Sequence, residues 1–128
     1  MKIVAHGDQP RERWRPGVET RMLVSACNGA DELCIFEQWV MPGAGAPTHS
    51  HPVEEVLTVL SGVAEMWIDD ERQAIEVGHS LIVPAHKKHG FLNAGTTVLH
   101  VHAVLASRSF DATVGSSSEP VQRWRQGR

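Results

Sequence analysis

Two histidines separated by one serine, His49-Ser50-His51, constrain this chain more than any other feature. Along a β-strand, side chains alternate faces, so residues two apart point the same way. On an α-helix the same residues lie on different sides and cannot converge. Pro47 and Pro52 bracket the pair and argue against a helix there. Glu55 has the same parity and joins the histidines if the strand runs on. The sequence therefore predicts His49, His51 and Glu55 as convergent donors on one wall of a β-structure. A good site needs a fourth donor, and the stretch 78–93 offers His89.

Three imidazoles and a carboxylate form a borderline nitrogen and oxygen donor set. It suits one divalent transition metal per chain (Fe, Mn, Zn, Ni or Cu) and disfavours metals that prefer soft thiolates. On an octahedral ion, four protein ligands leave two positions for water, substrate or O₂, the arrangement of a catalytic site. Each neutral imidazole also needs its second nitrogen held by an acceptor, and the sequence does not identify those acceptors.

The bulk properties narrow the function classes. A length of 128 residues with 41% hydrophobic residues describes one globular domain. The net charge of −3 has no large single-sign block, so neither nucleic acid nor an anionic membrane surface is an expected partner. No apolar run is long enough to span a bilayer, and residues 1–8 are too polar for a secretory leader. Cys27 and Cys34 lack metal-knuckle or redox spacing and are read as reduced thiols of a cytoplasmic protein, Cys34 within a strand.

Turn signals every eight to twelve residues separate short apolar runs, the pattern of an antiparallel sandwich or barrel. Strands are expected at 21–26, 32–41, 55–60, 63–68, 73–77, 81–83 and 96–106, the last being the final long strand. Residues 42–47 read as a loop that delivers the chain to the histidine pair, and 115–120 as a flexible connector. No stretch has a helical period. The chain divides into an N-terminal arm and first strand (1–30), a barrel (31–110) and a C-terminal tail (111–128). Basic residues surround Trp14 in the arm and Trp124 in the tail, the latter among Arg123, Arg125 and Arg128. Both indoles are expected to pack on the body.

The spacing resembles the cupin family. Its first motif, G-x5-H-x-H-x3-E-x6-G, is met by Gly43, His49, His51, Glu55 and Gly62. Its second, G-x5-P-x-G-x2-H-x3-N, is met by Gly78, Pro84, His89 and Asn93, with His86 where the family has glycine. The resemblance implies an all-β fold, a double-stranded β-helix (jelly-roll) barrel with N- and C-terminal arms. It implies His49, His51, Glu55 and His89 as ligands facing the barrel interior, and a homodimer formed by strand exchange or sheet edges. It leaves the turn at His86 open.

Other residues are secondary. Leu99, Val101, Ala103 and Leu105 form the more apolar parity of their strand and are expected inside, which places His100 and His102 outside. Phe91 shares a face with His89 and is expected in the cavity wall. The parity of Gln38 against Trp39 and Met41 is left open. His86, Lys87 and Lys88 read as a solvated mouth loop. The resulting expectation is a metal-binding cupin acting on a small molecule as an enzyme, dioxygenase-like or an isomerase or lyase. The alternative is a non-enzymatic small-ligand or regulatory module. Fold alone does not decide between them.

Overall fold

The computed structural model describes residues 1–117 and 119–126. In chain order its strands are β1 (Arg11–Arg15), β2 (Val18–Val24), β3 (Cys34–Val40), β4 (Gly45–Ser50), β5 (Glu55–Ser61) and β6 (Val63–Ile68). They continue with β7 (Glu71–Glu76), β8 (Ser80–Val83), β9 (His89–Leu92), β10 (Leu99–Leu105), β11 (Phe110–Val114) and β12 (Pro120–Arg123). One sheet runs β1-β2-β3-β10-β5-β8 and the other β12-β11-β4-β9-β6-β7, with antiparallel pairing throughout. From β3 onward the chain crosses repeatedly between the two sheets, which builds the expected jelly roll.

The inner faces follow the period-two rule. In β3, Cys34, Phe36, Gln38 and Val40 are buried and alternate with partly exposed neighbours. This settles the parity left open at Gln38: Gln38 points in and Trp39 points out. In β10 the inward set is Leu99, Val101, Ala103 and Leu105, as expected. His100 therefore lies on the outer face, where it meets Glu37 at 2.6 Å and stacks on Trp39. Burial raises the Cys34 thiol to about 12, aided by the nearby Glu55 charge, so it stays protonated.

Several local readings change. Residues 45–47, expected as loop, belong to β4. Between the pairs Ala46↔Phe91 and His49↔His89, β4 carries one residue more than β9, a bulge. Pro47 sits at that irregularity, where its missing N–H costs no regular ladder bond. The first strands begin earlier than expected: β1 and β2 form a hairpin whose second strand pairs with β3. The strand at 96–106 is not the last, because β11 and β12 follow and extend the other sheet. Of the stretch read as a flexible connector, Ser118 lies outside the described residues, while Pro120 already pairs with Thr113. Arg128, counted with the basic tail, also lies outside them. His86 adopts the left-handed backbone, φ +68°, that the family's glycine would favour. The turn is thus kept with a non-glycine residue, and its backbone N–H donates to the His51 carbonyl at 2.7 Å.

The terminal strands share the core. Trp124, only 8% exposed, packs against Trp14, Phe36 and Phe110. Phe110 touches Trp14, Phe36 and Trp124 and also the His51 imidazole. Replacing Phe110 with alanine removes the common partner of this cluster. It is expected to lower unfolding free energy by about 3–5 kcal/mol, read as a lower urea midpoint. An unchanged midpoint would show that the terminal strands are not integral to the core.

Candidate metal centre

β4 and β9 are neighbours in one sheet, and their register sets His49 directly opposite His89. His51 follows β4 by one residue. Glu55, by contrast, opens β5, the strand next to the edge of the other sheet, between Leu105 of β10 and Val83 of β8. The expectation of three donors on one wall is therefore corrected. The strand does not run on from His51 to Glu55. The chain turns between them, and Glu55 meets the histidines across the barrel. The donors converge all the same, because each faces the interior of its own sheet.

The possible ligand atoms of His49, His51, Glu55 and His89 all lie within 4.8 Å of one another. Glu55 Oε1 is 3.0 Å from His89 Nε2 and 3.5 Å from His51 Nε2. His51, Glu55 and His89 are 2%, 2% and 1% exposed.

The acceptors that the sequence left unidentified are backbone carbonyls. His49 Nδ1 lies 2.7 Å from the Pro47 carbonyl and His89 Nδ1 2.9 Å from the Lys87 carbonyl, each two residues back along the chain. His51 Nδ1 lies 2.8 Å from the Asp111 carbonyl in β11. A carbonyl only accepts, so each Nδ1 carries the proton and each Nε2 lone pair is left for a ligand. Among the described residues His51 Nε2 is buried with no hydrogen-bond partner. Its approach to Glu55 has ion-pair distance without hydrogen-bond geometry. An orphaned buried nitrogen in a cluster of three imidazoles and one carboxylate is what a metal-ligand set requires. The residues present therefore fit a divalent transition metal.

Electrostatics separates the four groups. Burial, reinforced by His89 and His51, lowers His49 to about 4, so it is neutral at pH 7. Burial also pulls His51 down, but the Glu55 carboxylate more than offsets this and the net pKa is raised. Burial would raise Glu55, yet His51 and His89 outweigh it and hold the carboxyl at about 2. Glu55 is thus a carboxylate throughout the physiological range.

A cavity of about 210 Å³ meets the cluster at His49 and Glu55. Its walls include Phe36, Leu57, Phe91, Phe110 and Trp14. Phe91 is in the wall as expected, and Gln38 lines it with Nε2 donating to Thr20 Oγ1 at 3.0 Å. Of the mouth-loop residues, Lys87 pairs with Asp69 at 3.1 Å, and none of His86, Lys87 and Lys88 lines the cavity. Asn93 of the second motif is structural: its side-chain amide donates to the Val40 and Thr97 carbonyls. Sequence reasoning missed Arg15, Phe110, Val121 and Arg123 as cavity residues. Only the alternation Phe110, Ala112, Val114 hinted that the chain after 106 still faced a core.

Because the raised pKa of His51 keeps a proton on its imidazole above the ordinary range, a metal has to displace that proton. Uptake by metal-free protein is expected to release protons, and affinity is expected to strengthen as pH rises and His51 gives up its proton. Titration calorimetry in buffers of different ionisation enthalpy reads the proton count. Uptake without proton release, at an affinity independent of pH, would contradict the assignment of His51.

Comparison with known proteins agrees with this geometry. The family model described as "Cupin domain" matches residues 36–105. Protein SchB of Streptomyces halstedii is 33% identical over 95 residues, covering 73% of this chain and 69% of that protein. Among solved structures, the polyketide cyclase RemF from Streptomyces resistomycificus aligns with a TM-score of 0.70 at 26% identity, over 82% of this chain and 78% of that one. KdgF from Halomonas sp. aligns with a TM-score of 0.72 over 84% of this chain and 96% of that one. At 16% identity KdgF speaks to the fold alone. With its two sheets, both sequence motifs and the matched domain in agreement, the chain belongs to the cupin family.

Proposed function

We propose that this cupin is a metal-dependent enzyme acting on an enolisable, oxygen-rich small molecule, in a ring-closing, isomerase-like or lyase-like step. The carrying observation is the convergence of four ligand atoms at one end of a cavity whose other walls are largely aromatic and aliphatic. The likeness to the polyketide cyclase RemF supports the substrate class, since polyketide intermediates are chains of ketones that enolise readily.

His49, His51, Glu55 and His89 would hold the ion. A divalent transition metal bound there would supply Lewis acidity toward an oxygen of the substrate. The chain's own side chains do the rest. Phe36, Phe91, Phe110 and Trp14 offer flat apolar surfaces on which a planar, conjugated compound can lie. They also exclude water, which strengthens every electrostatic contact at the ligand end. Gln38, fixed by Thr20, adds a polar amide to an otherwise apolar wall. In a ring closure of this type a carbon-carbon bond forms between an enol carbon and a ketone carbon, and water leaves if the ring aromatises.

The test uses a short 3,5,7-trioxo thioester with protein loaded separately with iron, manganese, nickel, copper or zinc. The native protein is expected to accelerate formation of cyclised product. His51→Ala and Glu55→Gln should reduce the rate by about 100-fold or more. Stoichiometric O₂ uptake instead would favour the dioxygenase-like reading. Tight binding without turnover for every metal would favour the non-enzymatic module.

A further inference from the structure

The cavity contains two arginines that the ligand cluster does not use. Arg15 comes from β1 and Arg123 from β12, so both lie outside residues 36–105 that match the cupin domain. The two strands belong to opposite sheets, yet both reach this cavity. Arg15 is half-buried and Arg123 is exposed.

Each guanidinium is positioned from behind. An Arg15 Nη donates to the Gly45 carbonyl at 2.9 Å, at the start of the strand that carries His49. Arg123 lies over the Trp14 ring, 4.2 Å from its centre, and Trp14 is itself a cavity wall. A guanidinium has five N–H donors, and one carbonyl satisfies only one of those on Arg15. Ion pairs among the described residues engage Arg11, Arg72, Lys87 and the histidines, but neither of these two arginines. Glu55 is the acidic residue lining the cavity, and it is committed to His51 and His89. Burial, and then the charge of Arg123, lowers the pKa of Arg15, so the two cations are close enough to oppose each other. Two like charges beside an apolar cavity, without a carboxylate partner among the described residues, favour an anionic occupant.

We propose that Arg15 and Arg123 form an oxyanion subsite that selects substrates bearing a carboxylate, held by guanidinium forks while the oxygenated part of the same molecule faces the ligand cluster. This rests on the metal-enzyme reading for the cluster itself, but the subsite stands on its own residues. A carboxylate suits it because its two oxygens match the fork in a bidentate contact. The subsite is specific to a chain that carries β1 and β12, because neither arginine belongs to the matched domain.

The probe pair is 2,4-dihydroxybenzoate and its neutral amide, titrated into metal-loaded and metal-free protein. Intrinsic tryptophan fluorescence, to which the cavity-wall Trp14 contributes, and calorimetry give the dissociation constants. The acid is expected to bind about tenfold or more tightly than the amide. In Arg123→Gln and in Arg15→Gln, acid binding should fall to the level of the amide while amide binding stays unchanged. Arg15→Lys, which keeps the charge and loses the fork, should fall between. Circular dichroism and metal content, unchanged in each variant, show that the barrel is intact. Equal binding of acid and amide to the native protein, no binding of the acid, or equal loss of both in the variants would each overturn the subsite. Acid selectivity that persists in a protein taking up no metal would keep the subsite and reject the metal-enzyme reading.

Discussion

Burying a carboxylate at 2% exposure would ordinarily push its pKa up and cost several kcal/mol. Glu55 is held the other way, at about 2, because His51 and His89 face it. The carboxylate is thus held against imidazole nitrogens, and a divalent metal bound there would supply the positive charge that faces it. Much of the local architecture serves this arrangement. The backbone carbonyls of Pro47, Lys87 and Asp111 keep the three rings turned with Nε2 inward. Without them each imidazole would be free to present either nitrogen.

The supports come from separated parts of the chain, which ties the site to the fold. Two carbonyls are local, two residues before their histidines. The third lies in β11, so the strand after the matched cupin domain orients a central donor. The loop that leads into β9 contributes through His86, whose N–H binds the His51 carbonyl from a left-handed turn. A non-glycine residue in that conformation costs about 1–2 kcal/mol, a strain that the surrounding contacts offset. Gly45, beside Arg15, is needed for close approach: a Cβ there would sit 2.0 Å from the Phe91 carbonyl oxygen. The same strand pairing therefore places His49 against His89 and admits the arginine to the cavity edge.

The jelly roll and the clustering of His49, His51, Glu55 and His89 were legible because both depend on spacing. Alternation along single strands placed His49 with His51 and put His100 on the outer face. What failed was extrapolation through a turn. Parity carries no information once the chain reverses, so Glu55 was assigned to the wrong wall, although it does meet the histidines. Pro47 hid a strand because a bulge lets proline enter a ladder. The terminal strands were hidden by composition: β1 is Arg-Glu-Arg-Trp-Arg and reads as solvated surface, while β12 is exposed at every position. Their placement depends on Trp14, Phe36, Phe110 and Trp124 meeting from distant positions in the sequence. No local pattern encodes that meeting, and the cavity arginines were missed with it.

The central claim is that His49, His51, Glu55 and His89 together bind one metal ion. Elemental analysis by mass spectrometry, on untagged protein stripped of loosely held ions, tests it most directly. About one equivalent of iron, manganese, nickel, copper or zinc per chain is expected, falling to background in His89→Ala with the β-rich fold retained. A native protein that carries no metal and takes none up on reconstitution, or a His89→Ala variant that keeps a full equivalent, would contradict it.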